Sequence, residues 1–256
     1  MRLLTRCTAG LLVLTVTACA ATPNLGSVRP YALDDLAALR FKAVLVAGDR
    51  ATPAFDHATD AMRERLLERR VAAADIQQLS ADREVVTREG VRSATLDHVL
   101  SAIGGLRPEP GQGCLVFVTS HGGFGRGLVL TPSRDYLTPA ALDAALAGGC
   151  GNAPTVAVLS GCFSGGFAKA PMARANRIVL TAAREDRPSF GCGAGFHYTV
   201  YDRCLLGAMD TANTWRAAYG MIRDCVTSRE RELGFRPSEP RAWFGAAVNG
   251  MPVPRP

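Results

Sequence analysis

Four apolar runs constrain the fold of this chain more than any other feature: FKAVLVAG (41–48), CLVFVTS (114–120), TVAVLSGC (155–162) and RIVLTAA (177–183). Apolar residues occupy consecutive positions in them rather than alternate ones, as in strands buried on both faces. Between the runs lie helical patterns. Ala58, Met62, Leu66 and Val71 are spaced along one helix, and Leu96, Val99, Leu100 and Ile103 mark the face of another, with Ser93 as its expected N-cap and Gly104-Gly105 as its stop. A third helix opens with Thr138 at the N-cap and Pro139 at the first helical position. Strands alternating with helices predict a mainly parallel sheet covered on both faces. DIQQLS (75–80) reads as a short extra strand and HGGFGRGLVLTPSRDYLT (121–138) as a small hairpin. Residues from about 198 to 233 read as helical and PRAWFGAAV (240–248) as a final strand, which MPVPRP is too proline-rich to continue.

The N-terminus stands apart. Arg2 and Arg6 precede an apolar stretch from about residue 9 to 18, too short to span a bilayer and suited to a secretory signal over 1–18. Val16-Thr17-Ala18-Cys19 resembles the lipobox of bacterial lipoproteins, in which Cys19 would carry the acyl chains; an ordinary signal cleaved at a small residue, or a buried strand, are the alternatives. Several acyl chains would anchor the protein firmly, since one chain alone binds a membrane only marginally. Ala20 follows the cysteine, and the absence of Asp there resembles lipoproteins sent to an outer membrane. The expected organisation is a lipidated tether over 19–35, one domain over 36–250 in the cell envelope facing the periplasm, and a tail over 251–256.

Removing the signal lowers the formal charge from +6 to +4, with 27 Lys and Arg against 23 Asp and Glu. No basic blocks or interleaved aromatics accompany this excess, so nucleic-acid binding has no support. Six cysteines remain beyond Cys7 and Cys19, at 114, 150, 162, 192, 204 and 225. An even six allows three bridges; a nucleophile at Cys162 would leave at most two bridges and one free thiol. Cys204 with Cys225 is the favoured pair, and Cys114, at the start of a core strand, reads as simply buried. No CxxC pair exists and the four histidines (57, 98, 121, 197) have no ligand spacing with the cysteines, which argues against a metal.

Two runs deliver chemistry. LVFVTSHGG ends at His121, and VAVLSGCFSGG ends at Cys162, 41 residues later with one hairpin and one helix between. Ligands of parallel sheets collect beyond the carboxyl ends of the strands, so adjacent strands would present both side chains on one rim. A thiolate and an imidazole so placed can divide acyl transfer, one attacking a carbonyl and the other giving a proton to the leaving amine. Gly122 and Gly123 would let a substrate carbonyl approach, with the amides of Gly122 and Cys162 as oxyanion donors.

This pattern resembles the legumain family of cysteine peptidases, in the superfamily that also holds caspases and gingipains. The likeness rests on VLVAG, FDHATDA, the strand into His121-Gly122, GLVLTPSRDYLT, the strand into Cys162, and LTAAREDRPSFGC, and spans about residues 41–200. It implies a three-layer α/β/α sandwich of the caspase-hemoglobinase type and a cofactor-free endopeptidase acting on peptide or protein substrates. Cys162 would be the nucleophile, His121 the proton donor, and Ser189 a wall of the pocket for the residue before the scissile bond. Where legumains carry an Asn that orients the His, followed by a pocket Arg, this chain has Ala54 and Asp56. Asp56 therefore reads either as an acid favouring a basic residue in that pocket or as a helix-capping group.

Two rival readings compete. CFSGG is one residue short of a serine-hydrolase elbow around Ser164, with His197 as the only later base, but Cys162 stands where that elbow requires Gly. The other rival is an inactive peptidase-like lipoprotein that binds envelope partners. Trp215 and Trp243 read as core residues.

Overall fold

The computed structural model describes residues 30–193 and 195–254. The proposed signal and Cys19 lie outside the described residues, and no described helix is long and apolar enough to cross a membrane.

After a short helix α1 (Leu33–Ala37), the chain forms β1 (Arg40–Ala47), α2 (Ala54–Glu68), β2 (Ile76–Ser80), β3 (Val91–Ser93), α3 (Leu96–Gly104) and β4 (Gln112–Thr119). Three short strands follow, β5 (Gly122–Gly123), β6 (Gly127–Leu130) and β7 (Asp135–Leu137), then α4 (Pro139–Cys150), β8 (Thr155–Ser160) and β9 (Arg177–Thr181). Two helices, α5 (Val200–Thr211) and α6 (Trp215–Glu232), and an edge strand β10 (Arg241–Phe244) complete the domain. The main sheet runs β10-β9-β8-β4-β1-β2-β3. All its pairings are parallel except β10 on β9.

Continuous apolar runs are required here because alternate residues of each strand feed two different cores. Ala43, Leu45, Leu115, Phe117, Val156 and Val158 pack toward α2, α5 and α6. Their neighbours Val44, Val46, Val116, Val118, Ala157 and Leu159 pack toward α3 and α4. The result is the three-layer α/β/α sandwich.

Several local expectations change. The N-cap of α3 is Thr95, whose hydroxyl accepts the His98 amide, while Ser93 closes β3. The glycine-rich excursion is a three-stranded antiparallel sheet, β5-β6-β7, rather than a simple hairpin. The last strand stops at Phe244, and Trp243 is 37% exposed, its indole N–H held by the Arg174 carbonyl at 2.9 Å; only Trp215 is core. Met251 and Val253 pack into the same core as α6. Cys114 is not a lone buried thiol: it bridges to Cys150, tying the start of β4 to the end of α4. Cys204 and Cys225 bridge α5 to α6 as expected, which leaves Cys162 and Cys192 as the free thiols among the described residues.

Candidate active site

β4 and β8 are adjacent and end together. Thr119 and Ser160 are register partners, and the Ser120 amide extends the ladder to the Ser160 carbonyl at 3.0 Å. His121 and Cys162 therefore each lie two residues past the same rung, at the carboxyl edge of the sheet. Both line one narrow cleft with Phe55, Ser189, Phe190 and Cys192.

Gly122 is glycine for a reason the sequence does not reveal. A Cβ there would lie 1.9 Å from the Cys162 carbonyl oxygen, so the backbone after His121 packs directly on the backbone of Cys162. Gly161 is equally confined, between the Ser120 carbonyl and the Leu128 side chain, each 2.6 Å from where its Cβ would sit. These two glycines let the two strand exits touch.

The half-buried His121 ring stands edge-on to Phe55, with centroids 5.4 Å apart. Hydrogen bonding to the Cys192 side chain raises the imidazole pKa, burial opposes this, and the charge of nearby Asp49 adds to the rise. The Cys162 sulfur meets the backbone of Ser189 twice, accepting from its N–H at 3.2 Å and donating to its carbonyl at 3.4 Å. Phe163, next in sequence, has a left-handed backbone with φ of 58°, and its amide donates to the Arg187 carbonyl at 2.8 Å. The nucleophile's segment is thus pinned to the loop 187–189.

Beneath both exits lies Asp202, fully buried in the first turn of α5. Thr119 donates to its carboxylate at 2.7 Å and the Thr199 hydroxyl accepts its amide at 3.0 Å. Burial pushes its pKa up to about 6, opposed by hydrogen bonds to Ser160 and Thr119. Asp202 therefore sits against the last rung of both strands that carry the pair. Asp202 reads in the sequence as one more acid in a helical stretch, and Cys192, although it ends the LTAAREDRPSFGC segment that carries the family resemblance, reads there only as a disulfide candidate.

Of the other expected residues, one lies in the cleft and the rest lie elsewhere. Ser189 lines the cleft. Asp56 does not; it is buried on α2, burial raises its pKa, and Ser80 is its hydrogen-bonding partner. It is not the cap of α2 either, because Pro53 holds that position and makes no side-chain cap bond. The α2 residue that reaches the cleft is its neighbour Phe55. Ser164 is 1% exposed and its hydroxyl accepts the Ala183 amide at 3.2 Å. His197 stacks on His57 at 4.1 Å, in a separate cavity with Arg65 and Arg203. The elements of the serine-hydrolase reading are thus not assembled. No group of three His, Cys, Asp or Glu residues suited to a metal occurs among the described residues.

A model of the peptidase C13 family matches residues 106–250, the stretch that holds both strand exits and the loop 187–192. No curated protein matches the sequence. Among solved structures, the crystal structure of caspase-1 from Spodoptera frugiperda is similar, with a TM-score of 0.55 at 12% identity over 81% of this chain and 87% of that one. At that identity the likeness concerns the fold alone. It agrees with the parallel sheet and its flanking helices, and since the family match covers more than half of the sequence, the chain belongs to the peptidase C13 family, the legumain family of cysteine peptidases.

Proposed function

We propose that the protein is a cysteine endopeptidase that cleaves peptide bonds through an acyl-enzyme on Cys162. The observation that carries this reading is the emergence of His121 and Cys162 from neighbouring parallel strands, two residues past the same rung and on one cleft. The Cys162 thiolate attacks the substrate carbonyl carbon, and the charge that develops on its oxygen is met by the amides of Cys162 and Gly122. No acceptor among the described residues takes the Cys162 amide, which leaves it available to an oxyanion. His121, as imidazolium, then gives its proton to the departing amine as the C–N bond breaks. Its raised pKa suits that role near neutral pH. With the amine gone, neutral His121 takes a proton from water, which attacks the thioester and releases Cys162.

We further propose that the mature protein is exported and held at the cell envelope by lipid on Cys19. Two structural disulfides support an oxidising compartment, since such bridges are rare where thiols are kept reduced.

The test is hydrolysis of a mixed peptide pool by the reduced, unlipidated domain, with Cys162→Ala and Ser164→Ala alongside. Cleavage that survives Ser164→Ala and disappears in Cys162→Ala supports the reading. The reverse pattern, or no cleavage by the unaltered domain, contradicts it.

A further inference from the structure

A further cavity, of about 400 Å3, is separate from the cleft of the dyad and includes none of Ser189, Phe190 and Cys192 in its walls. Its walls come from the segments that directly follow the two site residues: Phe124 from the chain after His121, and Phe163 and Phe167 from the chain after Cys162. Phe124 is 68% exposed, although a surface phenylalanine leaves a large apolar area in water. Its ring meets that of Phe163 edge to face at 5.6 Å. The left-handed backbone of Phe163, uncommon for a bulky residue, is where the chain turns off the nucleophile toward this cavity.

Most charged residues around the cavity are paired with an opposite charge. Lys169 pairs with Glu185, Asp186 with Arg184, and the Arg126 guanidinium lies 4.1 Å from the centroid of the Tyr136 ring. Arg126 keeps its charge, since it stacks on a ring and pairs with no carboxylate, while three phenylalanines and Pro139 supply the apolar surface. The cavity shares no lining residue with the cleft of the dyad, but Phe163 on its wall follows Cys162 directly in the chain. It is also built on the hairpin that begins at His121, the group that protonates the leaving amine in the reaction proposed above.

We propose that this cavity receives the side chain of the substrate residue immediately after the scissile bond and selects large apolar or aromatic residues there. The assignment rests on the peptidase reading. The acyl portion of the substrate then occupies the Ser189 flank and the departing portion lies over Phe124 and Phe163.

The experiment is a digest of a diverse peptide library by the reduced domain, with every cut mapped by mass spectrometry, followed by rates for peptides that differ only at the residue after the cut. Leu or Phe there is expected to give kcat/KM on the order of tenfold above Ser, the scale on which apolar pockets discriminate. Phe124→Ser, at an exposed position that the fold does not need, flattens that ratio. Phe124→Glu shifts the preference toward Lys and Arg at the same position. Cuts that depend on Cys162 but show no apolar preference after the bond overturn the cavity's assignment and leave the peptidase reading standing. So does a preference that Phe124→Ser leaves intact, or one that moves to the residue before the bond. Absence of Cys162-dependent cuts overturns both.

Discussion

The strand exits at His121 and Cys162 start from the same rung and are held by different means. After His121 the chain enters a hydrogen-bonded sheet: the His121 carbonyl accepts the Val129 amide at 2.8 Å, and Ser120 donates to the Val129 carbonyl at 2.7 Å. After Cys162 it enters a left-handed residue and a short 3-10 turn, and the partners of Phe163 and Cys162, Arg187 and Ser189, sit on a distant loop, the latter 27 residues along the chain. The proton donor is positioned by local β-structure and the nucleophile by a distant loop. That loop also carries Cys192, so it reaches across and polarises the histidine as well.

The largest effects should come from removing either side chain. Cys162→Ala should abolish turnover, and His121→Ala should lower kcat about 10²–10⁴-fold, the usual contribution of a positioned acid or base. Steady-state kinetics on a peptide from the library digest checks both. Next, Gly122→Ala forces apart the one place where the exits touch and should cost about a hundredfold in kcat with the domain still folded by circular dichroism, because displacements of about 1 Å at reacting groups have that effect.

Asp202 tests whether the shared rung matters to both exits. Its carboxyl is protonated more readily in the fold than in the unfolded chain, so its contribution is favourable at low pH. That contribution is lost as pH rises from the usual carboxylate range through about 6. Asp202→Asn should therefore raise Tm at pH 7 relative to the unaltered domain by an amount that vanishes near pH 4, as thermal melts at the two pH values would read. A smaller effect should separate the exits: Cys192→Ala withdraws the hydrogen bond that raises the His121 pKa, so the alkaline limb of the kcat/KM profile should move to lower pH. Asp56→Asn, away from the cleft, should leave the preference before the scissile bond unchanged in the same library digest.

Much of this architecture is written in local patterns. Runs such as VAVLSGC, short and β-branched and ended by glycine, read as central strands, and Thr138-Pro139 opens α4 as its residue types dictate. His121 and Cys162 are legible because each ends such a run. What stayed hidden is tertiary. Asp56 sits beside the one α2 residue that lines the cleft, and on a helix one position is about 100° of rotation, enough to turn a side chain from the site toward Ser80. Cys150 gives no local sign that it will reach Cys114, and Phe124 reads as one residue in a glycine-rich turn until Phe163 is placed against it.

The most direct test of the central claim is intact mass after treating the reduced domain with a peptidyl acyloxymethyl ketone, using probes with Asn, Arg and Leu next to the reactive group, beside a Cys162→Ala control. The account predicts a single covalent adduct that maps to Cys162 and is absent from the control. An adduct that persists in Cys162→Ala, or one that maps to Cys192 instead, would contradict it.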